Sequence, residues 1–291
     1  MKTQIVPKSH FPADGQELSP AIDQLYYRGD LTCLAQPSVA VVGSRKAGAM
    51  GCAHAQEIAS GLSHRGVCVV SGLAVGIDAA AHRGALESAY GRTIAVMAHG
   101  LDTVYPRQHA LLAEEVLRGG GLLVSEYPDE TPPRPHQFLG RNRLIAWLSI
   151  GVVVIEAGYR SGALSTAHAA MMLGREVMVL PGPVSGGRYS GGHRLIRDGA
   201  HLIEHAEDVL LLCGQSRLLP APAPTRVERA LRSADPRATQ IAAVLDFQPN
   251  DPHDLCARSG LTMADLMAGL LLLELEGHVT RLTDGRWSLR P

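Results

Sequence analysis

The 291-residue sequence predicts a doubly wound α/β domain with a mainly parallel sheet, followed by a smaller second domain. Short uncharged apolar segments recur up to about residue 181 and alternate with helical segments. Several are continuous apolar runs, such as residues 151–155, which are typical of parallel strands covered by helices on both faces. The chain is 46% hydrophobic and 19% charged, which is sufficient for a sizeable core. A Pro- and Ala-rich stretch then marks a domain boundary.

The predicted elements follow one another in a regular order. Residues 1–36 form a lead-in segment that packs against the main domain, which covers residues 37–213. Six strands are predicted near residues 39–43, 67–71, 93–97, 122–126, 152–156 and 176–181. Residues 214–237 are a Pro, Ala and Arg linker. Residues 238–291 predict three helices, at 238–247, 254–259 and 262–277, and a hairpin at 279–290 turning at Asp284-Gly285, which is typical of a winged-helix domain.

Composition narrows the class of protein. The formal net charge is −1, so only a local basic patch could favour nucleic acid. The five cysteines are odd in number and never spaced as C-x-x-C, which argues against a disulfide framework or a zinc site. No apolar run approaches the roughly 18 residues of a membrane span. We therefore expect a cytoplasmic protein with no metal, no cofactor and no membrane segment.

The loops after the predicted strands share one chemistry. The first runs from a strand through Gly43, Ser44, Arg45 and Lys46 into a helical pattern, and helix N–H groups at such an edge favour a phosphate. Because the carboxyl ends of parallel strands meet at one edge, the other loops should contribute to the same site. The predicted phosphate- or DNA-binding residues are Gly43, Ser44, Arg45, Lys46, Ser71, Gly72, Arg134, Phe138, Arg141, Asn142, Arg143, Ser161, Gly162 and Thr166.

The loop sequences argue against the common nucleotide-binding enzymes. The turn Gly43 to Gly51 is not G-x-G-x-x-G, and the second strand ends at Ser71 without an acidic residue for a ribose, so an NAD enzyme is disfavoured. The sequence G-x-x-x-x-G-K-[ST] is also absent, which disfavours a P-loop ATPase. No convincing catalytic constellation emerges.

Three further features have two interpretations each. Asp78 and His82, at i and i+4, could form half a metal site or an acid/base pair, but we favour a helix-capping aspartate and a partly buried histidine. Glu156 could be a catalytic carboxylate, but we favour a role in ordering its loop through backbone hydrogen bonds. Residues 141–143 are predicted to open a helix, where an arginine opposes the helix dipole unless an anion is present.

Phe138 bears on base stacking, and the last predicted helix bears on duplex recognition. Phe138 stands in a proline-rich loop three residues before Arg141, so it is either a core plug or a platform for a base. The last predicted helix, 262–277, contains no lysine or arginine, whereas a helix that reads the major groove needs basic or amide side chains. We expect the second domain to contact protein rather than read duplex DNA.

Taken together, the motifs resemble the DprA/Smf (DNA processing protein A) family over about residues 25–210. The motifs are the first loop, Ser71 to Ala74 with Gly76 to Asp78, Gly100 to Asp102 with Tyr105-Pro106, Phe138 with Arg141 to Arg143, Glu156-Ala157 with Ser161-Gly162, and Pro181-Gly182. The resemblance implies an extended Rossmann-like domain that binds single-stranded DNA, forms a homodimer and loads the RecA recombinase in natural transformation without being an enzyme. Within it, the residues of the first loop, of 138–143 and of 161–166 correspond to the DNA-binding motifs.

The sequence departs from the family pattern at two positions. Leu139 replaces a usual proline, and Val75 stands where many members have arginine, so a weaker pocket charge is expected. The N-terminal helical module of longer members is not expected here. Two alternatives stay open: a paralogue acting as an antitoxin or phage-defence partner, and a phosphoribohydrolase-like enzyme that would use Glu156 on a nucleoside monophosphate.

Overall fold

The computed structural model describes residues 2–7, 22–88, 91–214, 236–242, 244–245, 250–275, 279–282 and 285–289. The chain divides into two compact units, residues 1–221 and residues 222–291. The predicted linker over 214–237 lies almost entirely outside the described residues, and the predicted domain boundaries stay a prediction.

The first unit is built on a nine-stranded sheet. Its strands are β1 (Gln4–Pro7), β2 (Gln24–Gly29), β3 (Ser38–Gly43), β4 (Cys68–Ser71), β5 (Thr93–Met97), β6 (Leu122–Ser125), β7 (Gly151–Ile155), β8 (Glu176–Leu180) and β9 (His201–Leu202). They lie in the order β1-β2-β6-β5-β4-β3-β7-β8-β9. The pairs from β6 to β9 are parallel, whereas β2 pairs antiparallel with both β1 and β6.

Helices cover both faces of this sheet. They are α1 (Ala49–His64), α2 (Ile77–Leu86), α3 (Ala110–Arg118), α4 (Pro135–Trp147), α5 (Ala163–Met172), α6 (Ser190–Arg197) and α7 (Ala206–Leu212). Successive side chains of a strand point to opposite faces. Val39 and Val41 of β3 accordingly pack in the core with α1, α2 and α7, whereas Ala40 and Val42 belong to the core with α4 and α5. The doubly wound α/β prediction is confirmed.

The six predicted strands all form, each within about two residues of its expected bounds. Three strands were not predicted: β1 and β2 extend the sheet from within the lead-in segment, and β9 lies at its other edge. Of β2, only Leu25 is fully buried. The strand pairs at Tyr26 to Gly29 with β6, which is about a hundred residues away in the sequence. β2 therefore lacks the continuous apolar run that identifies the parallel strands at the centre of the sheet.

The second unit contains α8 (Pro236–Ala242), α9 (Pro252–Ser259) and α10 (Met263–Leu275), followed by β10 (Val279–Arg281) and β11 (Trp287–Leu289). The two strands pair antiparallel, as the winged-helix prediction requires. Its core includes Ile241, Leu255, Leu266, Leu270 and Trp287. Predictions at Phe247, Gly277 and the Asp284 turn position fall outside the described residues.

The described part of the chain bears on disulfides, metal sites and membrane spans. There, the five cysteines are free and His, Cys, Asp and Glu side chains form no group of three that could hold a metal. No single described helix is long and apolar enough to cross a membrane, although α9 and α10, bent by 104°, satisfy that test as a pair on length and composition alone.

The chain changes direction across the sheet beside β3. From β3 it proceeds through β4, β5 and β6 to one side, and from β7 through β8 and β9 to the other. Ligands of doubly wound folds bind outside the carboxyl ends of the strands at such a switch point.

Candidate functional site

A pocket of about 910 Å³ lies at the carboxyl ends of β3 and β7. Ten of the fourteen predicted site residues line it: Gly43, Ser44, Arg45, Lys46, Phe138, Arg141, Asn142, Ser161, Gly162 and Thr166. Ser71, Gly72, Arg134 and Arg143 are not among the lining residues. The topology therefore brings most, but not all, of the predicted set together.

The loop after β3 is held close to its neighbours. A Cβ atom at Gly43 would lie 2.0 Å from the carbonyl oxygen of Ile155, so only glycine fits there. Ser44 accepts a hydrogen bond from the main-chain N–H of Ile77 at 3.2 Å through its carbonyl, and from that of Lys46 at 3.0 Å through its hydroxyl. With the backbone fixed in this way, the side chains of Arg45 and Lys46 remain exposed.

Aromatic rings form one wall of the pocket. The Arg45 guanidinium carbon lies 5.1 Å from the centre of the Phe138 ring, which is within cation–π range. The Phe138 ring is tilted against Tyr105, with centroids 5.7 Å apart, and Tyr105 is 48% exposed. Phe138 is half-buried rather than a core plug. A cation and two rings are therefore available to a planar ligand group.

The prediction that residues 141–143 open a helix is wrong. The helix α4 begins at Pro135, so these residues lie in its interior and face no unopposed dipole. Pro135 at the first position supplies the start signal that the prediction overlooked. The argument that an anion must offset an arginine at a helix N-terminus therefore does not apply here.

The Arg141 guanidinium serves the interior of the domain. It is 3% exposed and donates hydrogen bonds to the carbonyl of Gly72 at 2.8 Å and to the carbonyl of Val96. Burial lowers the pKa of Arg141 to about 10, and the nearby Asp78 carboxylate opposes this shift. Although Arg141 lines the pocket, its hydrogen bonds cross-link the loop after β4 to β5.

The structure places Asp78 and His82 in structural roles. Asp78 accepts the main-chain N–H groups of Gly72 at 3.2 Å and Ala74 at 3.4 Å, which precede α2, whereas Gly76 occupies the N-cap. The prediction that Asp78 caps this helix is therefore wrong, because its bonds go to the preceding loop. Burial raises the pKa of Asp78, while Arg141 opposes that shift. His82 is fully buried and bonds through Nδ1 to the Thr93 hydroxyl at 2.7 Å.

The four predicted residues outside the pocket each have another environment. Ser71 is fully buried and donates to the carbonyl of Val41 at 2.7 Å. At Gly72 an added Cβ would lie 2.3 Å from the Arg141 guanidinium. Arg143 pairs with Glu126, both side chains being less than one-fifth exposed. Arg134 is exposed at the N-cap of α4, where its main-chain N–H donates to the Gln137 side chain at 2.5 Å.

Asn142 connects α4 to the start of α5. Its amide nitrogen donates to the carbonyl of Gly162 at 3.1 Å and to the Ser165 hydroxyl at 2.7 Å. The Ser161 hydroxyl in turn accepts from the N–H of Ala163 at 3.3 Å. These bonds hold Ser161 and Gly162 against the pocket. Thr166 lies on the next turn of α5 and is 1% exposed.

Glu156 occupies the start of α1 and is 3% exposed. Its two carboxylate oxygens accept the N–H of Gly48 at 2.9 and 3.0 Å, and Oε1 also accepts from Arg188 at 3.0 Å. This geometry agrees with the interpretation that Glu156 orders a loop. It also shows that an anion of the protein itself fills the helix start at which the sequence predicted a ligand phosphate.

Two of the aromatic or cationic residues that line the pocket were absent from the predicted set. Tyr105 and Arg160 both line it, and Arg160 is exposed. The sequence carried a signal for each, because Arg160 directly precedes the predicted Ser161-Gly162 turn and Tyr105 lies in the loop after the third predicted strand. Among the pocket-lining residues, Arg160 adds a third exposed cation to those of Arg45 and Lys46.

Family models match nearly the whole chain. Residues 2–214 match the model described as DNA recombination-mediator protein A, and residues 221–285 match the DprA winged helix domain. Protein Smf of Escherichia coli (strain K12) is 39% identical over an alignment of 300 positions, which covers 98% of this chain and 78% of that protein.

Two solved structures each resemble this chain over 72% of its length. The X-ray structure of DNA processing protein A from Streptococcus pneumoniae has a TM-score of 0.68 and 40% identity, covering 72% of this chain and 74% of that one. The second structure, of DNA processing protein A from Helicobacter pylori, concerns the single-stranded DNA binding mode of that protein. It has a TM-score of 0.65 and 29% identity, covering 72% of this chain and 94% of that one.

Proposed function

Because the chain belongs to the DNA recombination-mediator protein A family, we propose that it is a non-catalytic single-stranded DNA-binding protein of DNA processing and natural transformation. The observation that carries this proposal is the Arg45 guanidinium over the Phe138 ring at a pocket that also presents Lys46 and Arg160. Single-stranded DNA needs this combination, since its phosphates require cations and its unpaired bases stack on aromatic rings.

In the proposed complex, Arg45, Lys46 and Arg160 neutralise backbone phosphates while Phe138 and Tyr105 stack bases. Gly43, Ser44, Ser161, Gly162 and Thr166 shape the pocket and offer small polar contacts. A base in a duplex is already stacked and paired, so it would have to be flipped out to reach the Phe138 ring. We therefore expect the protein to prefer single strands.

The remaining predicted residues receive revised roles. Arg141, Asn142 and Arg143 are positioning residues, because their hydrogen bonds and ion pair hold the loops around α4. Ser71 and Gly72 are buried, and the carbonyl of Gly72 accepts a hydrogen bond from Arg141. Arg134 is exposed and is proposed to contact a phosphate of a strand that extends beyond the pocket.

The engagement of Glu156 supports binding rather than catalysis. A phosphoribohydrolase-like enzyme would need this carboxylate to face its substrate, but here it bonds to Gly48 and Arg188. We further propose that the protein acts in the cytoplasm as a homodimer and loads the RecA recombinase onto the bound strand.

Fluorescence anisotropy with labelled single- and double-stranded oligonucleotides tests the proposal. We expect tighter binding to the single strand, with log K falling by roughly 0.7 per log unit of salt for each phosphate neutralised. Arg45→Ala should weaken binding of every sequence by about tenfold and reduce the salt slope by about one phosphate. The matched control is Arg118→Ala, an exposed arginine at the end of α3 that does not line the pocket.

Phe138→Leu separates stacking from charge. It should weaken binding by about 1–3 kcal/mol with the salt slope unchanged, because stacking does not release counterions. Equal affinity for duplex and single strand, or equal effects of Arg45→Ala and Arg118→Ala, would contradict the pocket as the DNA site.

A further inference from the structure

The start of α1 contains a built-in anion. In doubly wound folds the N-terminus of the helix after the first strand of the switch point is where a ligand phosphate binds. Here the Glu156 carboxylate receives both bonds from the Gly48 N–H and the bond from Arg188. Glu156 is 3% exposed, whereas Arg188 is 59% exposed on its side chain, so Arg188 closes the carboxylate off from solvent.

The surrounding backbone is adapted to this carboxylate. A Cβ atom at Gly51 would lie 2.1 Å from Glu156 Oε2, so the second glycine of the sequence Gly48-Ala49-Met50-Gly51 makes room for the carboxylate rather than for a ligand. Glu156 itself has a φ of 51°, a left-handed backbone conformation that residues other than glycine rarely adopt. The contacts with Gly48 and Arg188 hold it in that conformation.

We propose that Glu156 is a specificity-determining residue, a resident anion that keeps phosphomonoesters and pyrophosphates off the start of α1. This inference rests on the proposed function, because it concerns which phosphates the same pocket accepts. A compact dianionic group needs several donors converging on one point, and Glu156 has taken those at Gly48 and Arg188. The exposed cations Arg45, Lys46 and Arg160 remain, and they suit singly charged phosphodiesters distributed along a strand.

Glycine is the informative replacement at this position. Glu156→Gly removes the carboxylate and accepts a φ of 51° without strain, so it empties the start of α1 while the fold is retained. Glu156→Ala is the second variant, because it also removes the carboxylate but keeps a Cβ atom at this position. The double variant Glu156→Gly/Arg188→Ala is the matched control, since it vacates the site and also removes the arginine that would bind the anion.

The experiment is isothermal titration calorimetry of the full chain with inorganic pyrophosphate and with ADP, at constant ionic strength. We expect no measurable binding of either by the wild type. Glu156→Gly, or Glu156→Ala if the glycine variant does not fold, should bind pyrophosphate at least about tenfold more tightly than the wild type. The gain should disappear in the double variant.

Two results would overturn the inference: pyrophosphate binding by the wild type with the affinity of the variant, or a folded variant that gains none. Anisotropy of the wild type with a single-stranded oligonucleotide, run in parallel, tests the proposed function separately. A wild type that binds no single strand would refute the proposed function, whereas the pyrophosphate comparison would still decide the role of Glu156.

Discussion

At the scale of single residues, the arginines of the site divide into two kinds. Arg45 is exposed and lies over an aromatic ring, whereas Arg141 is buried and bonds to two carbonyls. Both residues are arginines in motifs that suggest phosphate contact, and only their burial distinguishes them. Substitution of Arg141 should therefore lower stability, whereas substitution of Arg45 should lower DNA affinity.

Arg141→Met should destabilise the fold by about 3 kcal/mol, because it leaves the buried Asp78 carboxylate without its neighbouring positive charge. Urea denaturation at pH 7.5 measures this loss. Arg45→Ala should change the free energy of unfolding by less than about 0.5 kcal/mol, since that side chain is exposed. Adding Asp78→Asn to Arg141→Met should restore part of the stability. A fully stable Arg141→Met variant would refute the structural role of this arginine.

At the scale of elements, the site depends on how closely β3, β7 and α2 approach one another. The end of β3 lies against the main chain at Ile155 and against the Ile77 side chain at the start of α2, and there is no space for a side chain at Gly43. Gly140, in the middle of α4, has no atom within 4 Å of an added Cβ. Alanine substitutions at these two glycines should therefore change the free energy of unfolding in opposite directions.

Gly43→Ala should lower the free energy of unfolding by about 2–3 kcal/mol, because the new methyl group overlaps backbone atoms that cannot move independently. Gly140→Ala should raise it by about 0.5–1 kcal/mol, since alanine is the better helix former and meets nothing. Thermal and urea unfolding of both variants check the pair. A neutral Gly43→Ala would contradict the close approach.

The packing of α2 against β5 predicts a pH dependence. Burial lowers the pKa of His82 to about 3, so the unfolded chain binds its proton more readily than the folded one. Stability should therefore fall as pH decreases below about 6.5, with His82 contributing roughly 2 kcal/mol between pH 7.5 and 5. Urea denaturation at the two pH values measures the slope.

His82→Gln should reduce that slope by about the same 2 kcal/mol, whereas His64→Gln, at an exposed position on α1, should keep it. Some slope should persist in His82→Gln, because burial also lowers the pKa of His99. An unchanged slope in His82→Gln would contradict the burial of a neutral histidine at this position.

At the scale of the whole molecule, the two units have separate cores. The clusters of the first unit draw on residues 6–210, and the cluster of the second on residues 238–287. Every residue that lines the pocket belongs to the first unit. The proposed DNA site can therefore form without the winged-helix domain.

A chain of residues 1–221 should fold and bind single-stranded DNA within about twofold of the full chain, because it keeps the pocket and all three of its own core clusters. Circular dichroism and the same anisotropy titration measure both properties. A folded fragment that loses most of its affinity would show that the second unit contributes to DNA binding.

The sequence by itself determined the positions of six strands along the chain, the winged-helix pattern, the family and the edge of the sheet at which the site is proposed. These follow from local information: apolar runs define buried strands, and the parallel topology brings the loops that follow them to one edge. Arg45 and Lys46 could be assigned to the proposed site because they follow such a strand, whereas Phe138, which the sequence predicted in a loop, lies in the first turn of α4.

Only the tertiary structure decided which side chains face the pocket and which face the interior. The sequence placed Arg141 at a helix start and a ligand phosphate at the start of α1, but Arg141 is buried mid-helix and Glu156 fills the start of α1. Both outcomes depend on contacts between residues far apart in the chain, such as Arg141 with Gly72 and Glu156 with Gly48. Pro135 is a local signal for the start of α4, but the burial of Arg141 and its hydrogen bond to Gly72 arise only when the strands are assembled.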